Sequence, residues 1–148
     1  LSEVFFPKLL VKLKNDKENY LKYFNKVLLA LFLLILGISI FSALILPFAI
    51  KVLMPNYVSA SRSSQIVVFQ APLLIINSLC YYTLVGIGKY NLPYVFNILY
   101  IFLLLVFAFF MKCYGIAGIA LSTIAGRILA VVLAYVVTLH LVVKNYSS

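Results

Sequence analysis

Acidic side chains are nearly missing from this chain. Glu3, Asp16 and Glu18 are the only carboxylates in 148 residues, and all three precede the first long apolar run. A proton or sodium site built on membrane-embedded carboxylates therefore cannot be assembled from the apolar segments, and hydrolysis by paired carboxylates is excluded for the same reason. Tryptophan is absent, and the single histidine, His140, has no clustered carboxylate with which to relay protons. The two cysteines, Cys80 and Cys113, lie in or at the end of apolar runs without a CxxC or Cys/His cluster, so they read as packing residues. No metal and no cofactor is expected. Neither a Walker A nor a GxSxG pattern occurs, and the chain is not expected to be an enzyme.

Charge of any kind is scarce. Only 10% of residues are charged and 66% are apolar, with a mean hydropathy of +1.16. Soluble domains carry about 25% charged and 45–50% apolar residues. A soluble fold of this size has too much surface for so small a polar inventory, so lipid is the solvent that fits. The net charge of +9 does not point to nucleic acid, because the basic residues sit between apolar runs and form no stripe or nucleic-acid motif. In that position they orient helices across a bilayer.

Those charges divide the chain. Residues 27–50, 63–88 and 90–111 contain 24, 26 and 22 uncharged positions, and about 20 apolar residues cross the hydrocarbon of a bilayer. A fourth segment, 115–143, holds one charge, Arg127. A central Arg costs roughly 2.5–3.5 kcal/mol on insertion while each Leu, Ile, Val or Phe returns about 0.3–0.6 kcal/mol, so the aliphatic residues around it offset the charge. The expected fold is an all-α membrane protein, a polytopic helical bundle with about four transmembrane helices: 27–50, 63–88, 93–111 and 115–143. Residues 51–62 are expected to form an external loop, 89–92 a cytoplasmic turn, 112–114 an external turn and 144–148 a cytoplasmic tail.

The orientation rests on basic residues. Lys8, Lys12, Lys14, Lys17, Lys22, Lys26, Lys89 and Lys144 fall on one side, and Lys51, Arg62 and Lys112 on the other. Eight against three puts both ends in the cytoplasm. Within 1–26, Leu1–Pro7 reads as the end of a preceding helix. Leu9, Leu10 and Leu13 alternate with lysines at helical spacing, as in a basic amphipathic helix on the inner leaflet, and Asp16 and Glu18 mark a polar turn. The chain opens on Leu1 with a polar start that holds no signal-peptide core, and reads as the tail of a longer polytopic protein. Pro72, well inside its span, removes a backbone hydrogen bond and predicts a kink, whereas Pro93 lies in a first helical turn, where proline is favoured.

Arg127 is the strongest candidate for chemistry. A charge so near mid-span faces a bundle interior or a watery cavity and marks a substrate or ion path, or else is satisfied by carbonyls or by a carboxylate on another helix. Gly118, Ser122, Gly126, Ala130 and Ala134 recur every fourth residue, a ridge of small side chains suited to close helix packing. Arg127 lies about 100° around the helix from Gly126, beside that seam. Gln70, Asn77 and Tyr81 share a helix face, and Asn97 and Tyr100 lie on the next span. Residues of these types form interhelical hydrogen bonds or line a sugar-binding cavity.

The order of features resembles the C-terminal part of a polysaccharide flippase (O-antigen or teichoic-acid type) of the multidrug/oligosaccharidyl-lipid/polysaccharide exporter superfamily. The resemblance rests on Phe6-Pro7-Lys8-Leu9 at a helix end, a polar stretch entering a long apolar helix and an outer loop ending near Tyr57. It extends to the Gly86–Asn91 turn and the stretch from Tyr114 through Gly115, Gly118 and Gly126 to Arg127. It implies a bundle of about twelve to fourteen helices in two lobes, which carries a polyprenyl-pyrophosphate-linked oligosaccharide across a bacterial or archaeal cytoplasmic membrane by alternating access. Arg127, Asn77, Gln70, Tyr81 and Asn97 are then candidate substrate contacts, and the expected partners are membrane lipids, that glycolipid and the remaining helices of the same chain. A cation-coupled multidrug exporter of the same superfamily and a non-transporting membrane scaffold subunit are the alternatives.

Overall fold

The computed structural model describes residues 17–147. The segments read above as a helix end and an amphipathic helix, together with Asp16, lie outside the described residues. Among the described residues the secondary structure is entirely helical, as the bilayer reading requires: with no water in the hydrocarbon, each backbone N–H and C=O must find its partner inside the element. The helices are α1 (Lys17–Leu53), α2 (Ser61–Val68), α3 (Gln70–Gly86), α4 (Leu92–Met111) and α5 (Gly115–Ser147). Short 3-10 segments, Pro55–Ala60 and Lys112–Tyr114, join α1 to α2 and α4 to α5. Glu18, expected in a polar turn, is in the first turn of α1. Residues 51–62, read as a loop, hold the end of α1, the first 3-10 segment and the start of α2.

Three stretches are long and apolar enough to cross a membrane, Tyr20–Leu53, Pro55–Gly86 and Leu92–Lys144, which fits a multi-pass membrane protein. Counted as continuous stretches the spans therefore number three rather than about four, the third being folded back on itself so that its two arms, α4 and α5, lie side by side. The difference arises at 112–114, where the expected turn is itself 3-10 helical, so that α4 and α5 form one helical run. That run doubles back on itself: Gly115 takes φ 59°, a conformation that side chains with a Cβ rarely adopt, and α5 returns against α4.

Proline accounts for two further features. The stretch Pro55–Gly86 breaks at Phe69, three residues before Pro72. Pro72 has no N–H to offer the Val68 carbonyl, and its ring collides with a continued helix there, so α2 ends at Val68. Pro47 lies inside α1, which stays helical through it. The Ala43 carbonyl, four residues earlier, thereby loses its intrahelical donor. Gln65 Nε2, on α2, supplies a replacement at 2.8 Å.

The turn after α3 is a glycine-capped helix end. Gly88 has φ 78°, its N–H donates to Val85 at 3.0 Å, and the Lys89 N–H donates to Leu84 at 2.9 Å. These two bonds satisfy carbonyls the helix end would otherwise orphan.

The core sits towards one end of the bundle. Tyr20 and Phe24 from the start of α1 pack with Leu79, Cys80 and Leu84 from the end of α3, Phe96 from the start of α4, and Ala134 and Val142 from the far part of α5. Thr83 Oγ1 donates to the Leu79 carbonyl at 2.9 Å, so the buried 3.0 Å contact between Tyr20 and Thr83 has the tyrosine as donor. Tyr135 adds a 3.0 Å bond to Asn25, tying α5 to α1. Elsewhere long apolar stripes face outward, among them Ile98, Phe102, Leu105 and Phe109 of α4, at i, i+4, i+7 and i+11. In water such a stripe is an aggregation surface; in a bilayer it faces acyl chains or other helices.

Candidate functional site around Arg127

The site begins with the ridge on α5. Gly118, Ser122, Gly126, Ala130 and Ala134 are all buried. A Cβ added to Gly126 would lie 3.2 Å from the Leu104 backbone nitrogen of α4, and one at Gly118 would run into the Met111 carbonyl oxygen. The two backbones meet this closely because these positions carry no side chain.

Arg127 follows Gly126 and is half-buried. Its guanidinium carbon lies 3.6 Å from the centroid of the Tyr100 ring, which places the cation over an α4 aromatic face. Its Nε is buried and makes no hydrogen bond among the described residues. With no carboxylate in residues 19–148, the ring face is the contact that compensates the charge among the described residues. Such contacts are worth about 0.5–2 kcal/mol, much less than the desolvation of a guanidinium costs.

Next to this pair is a neutral polar group. Tyr81 donates to Asn97 Oδ1 at 2.8 Å, bridging α3 and α4. Asn77 lies one turn before Tyr81 on the same face of α3, and Arg127 acts electrostatically on the Tyr81 phenol. Asn77 is buried and Asn97 exposed, so the cluster runs from the packed interior to the bundle surface. Of the polar residues singled out in the sequence, the structure thus brings Asn77, Tyr81, Asn97 and Arg127 together. Gln70, the first residue of α3, is half-buried two helical turns before Asn77, about 10 Å along the axis, and stands apart from the cluster.

Tyr100 is the member whose role was not read in advance. It was placed on its span, three residues from Asn97, but its face against Arg127 depends on the fold-back of α5. Gln65 was missed altogether. The signal for it was available: a proline within a span leaves a carbonyl unpaired four residues earlier, and a nearby helix must then bring an amide or hydroxyl to it.

Among the described residues no group of three or more His, Cys, Asp or Glu could hold a metal. The geometry suits instead the recognition of an anion carrying hydroxyl groups: a fixed cation with unused donors, two amides and a phenol, held on three packed helices. Comparison of the chain with protein-family models, curated proteins and solved structures finds no match.

Proposed function

We propose that this chain forms part of a transporter that flips a lipid-linked oligosaccharide across a cytoplasmic membrane by alternating access, with both ends of these residues on the cytoplasmic side. The observation that supports this most is the half-buried Arg127, without a carboxylate partner among the described residues and set beside amide and phenol groups that open to the bundle surface at Asn97. A guanidinium remains charged at physiological pH and presents a fork of donors that matches phosphate oxygens. In this reading Arg127 meets the pyrophosphate or an acidic sugar during passage, and Asn77, Tyr81 and Asn97 hydrogen-bond hydroxyls. Tyr100 is a positioning residue that holds the guanidinium over its ring face.

A scaffold role is the second reading, favoured by the same bare Nε: Arg127 would then pair with a carboxylate on another subunit. Both are tested by expressing the full-length protein in a strain that lacks its polysaccharide flippase. Wild type restores surface polysaccharide, while Arg127→Ala and Arg127→Lys at equal protein level do not, because lysine keeps the charge but loses the planar fork. Normal transport by both variants refutes the role given to Arg127, and failure of a well-expressed wild type to restore surface polysaccharide refutes the flippase reading. Rescue of Arg127→Ala by removing a carboxylate from a partner protein supports the scaffold.

A further inference from the structure

A second site lies away from Arg127. An open groove of about 780 Å³ runs between α2 and the first turns of α5. One wall is formed by Arg62, Ile66 and Phe69, at i, i+4 and i+7. The facing wall is formed by Ala117, Leu121 and Ile124, also at i, i+4 and i+7. Seven residues rise about 10 Å along a helix, so two matched stripes face each other over that length.

The groove has a polar end and an apolar end. Arg62 and Tyr114 are both exposed at the first, beside Gln65 and close in sequence to the 3-10 segments Pro55–Ala60 and Lys112–Tyr114. Arg62 lies seven residues into the stretch Pro55–Gly86, which places it near a membrane–water interface, where arginine and tyrosine are favoured. Phe69 and Ile124 lie two turns deeper. No carboxylate occurs between residues 19 and 148, so neither helix that lines the groove carries an acidic side chain to neutralise Arg62. A cation at the interface with hydrocarbon walls beneath is complementary to an amphiphile with an anionic head.

We propose that this groove is a binding site for one anionic bilayer phospholipid, its phosphate on Arg62 and one acyl chain between the α2 and α5 walls. The phosphate accepts the guanidinium's charge-assisted hydrogen bonds, and the chain covers side chains that would otherwise line an open cleft. The proposal needs only a multi-pass protein in a bilayer and does not depend on the transport reading.

The test uses the full-length protein in nanodiscs of mixed phosphatidylglycerol and phosphatidylcholine, with a trace of phosphatidylglycerol bearing a diazirine in its acyl chain. Native mass spectrometry should show one retained phosphatidylglycerol in preference to phosphatidylcholine. Arg62→Gln should lower that retention about ten-fold or more, the effect of losing a charged hydrogen bond, whereas Arg62→Lys should largely keep it. Photolabelling should map to Ile66, Phe69, Leu121 or Ile124, and Leu121→Trp, which puts an indole across the apolar part of the groove, should sharply reduce it. Equal retention of the two lipids, labelling unchanged by Arg62→Gln and Leu121→Trp, or a disulfide from Leu121→Cys to another helix or a second copy would each overturn the proposal, the last by showing that protein covers the groove.

Discussion

The bond from Gln65 to the Ala43 carbonyl should exist energetically only because Pro47 does. Pro47 deprives that carbonyl of its helical partner, and the Gln65 amide replaces it at 2.8 Å. Gln65→Leu keeps most of the volume and removes the donor. A buried acceptor left bare costs about 1–3 kcal/mol, while interhelical hydrogen bonds in bilayers fall at roughly 0.6–2 kcal/mol, so a loss of about 1–2 kcal/mol is expected. In a Pro47→Ala background the residue 47 N–H can reach Ala43, and Gln65→Leu should then cost less than about 0.5 kcal/mol. The coupling between the two sites is therefore about 1 kcal/mol, with Pro47→Ala alone neutral or stabilising because proline inside a helix is unfavourable by up to about 3 kcal/mol. Equilibrium unfolding by titration with a denaturing detergent, followed by thiol labelling of the buried Cys80, gives the four stabilities of this double-mutant cycle. The exposed Cys113 is replaced by serine throughout, so only unfolding reports. Additivity within about 0.3–0.5 kcal/mol, the level seen for independent sites, would refute the reasoning.

Two glycines give opposite expectations under one substitution. Gly118→Ala drives a Cβ into the Met111 carbonyl and should destabilise, since overpacking of about 1–3 kcal/mol exceeds the roughly 1 kcal/mol gained in helix propensity. Gly37→Ala meets nothing within 4 Å and should stabilise by about 0.5–1 kcal/mol in the same detergent titration. For the orientation, Cys113 is exposed at the α4–α5 turn and Cys80 is buried. A membrane-impermeant maleimide added to intact cells should label Cys113 of a protein whose other cysteines are replaced, and labelling only after lysis would invert the topology.

What the residues alone disclose follows from the range of each interaction. The break ahead of Pro72 is legible because a proline acts on its own helix, four residues back. The tight turn that follows α3 is legible because Gly88 tolerates the left-handed conformation that closes a helix, although the helix itself stops at Gly86, short of the expected 88. The small-residue ridge is visible in one helix, but its partner is not, and the identity of Leu104 and Met111 as its neighbours required the fold-back at Gly115. The run through 112–114 misled the count because a charged, polar tripeptide between apolar segments reads as a loop, whereas Lys112, Cys113 and Tyr114 keep helical hydrogen bonding. Lys112 also settles its ammonium over the Phe109 ring at 4.7 Å. Gln65 and Tyr100 escaped because each matters through a group on another helix. Gln70 shares a periodic face with Asn77 and Tyr81, yet the face is long enough that its first member lies two turns from the others.

The ridge and the charge belong to one arrangement. Gly126 lets α5 approach the α4 backbone at Leu103 and Leu104. Tyr100 lies four residues before Leu104, one turn along α4, and Arg127 follows Gly126 directly. The close approach at Gly126 therefore sets the distance at which the guanidinium meets the Tyr100 ring. Spreading the helices by a few tenths of an ångström at Gly126 would loosen that contact without touching either partner. In a chain without a carboxylate after Glu18, the placement of this cation is set by packing on small residues rather than by an ion pair. That leaves its donors uncommitted, as the proposed uptake and release of an anion would require.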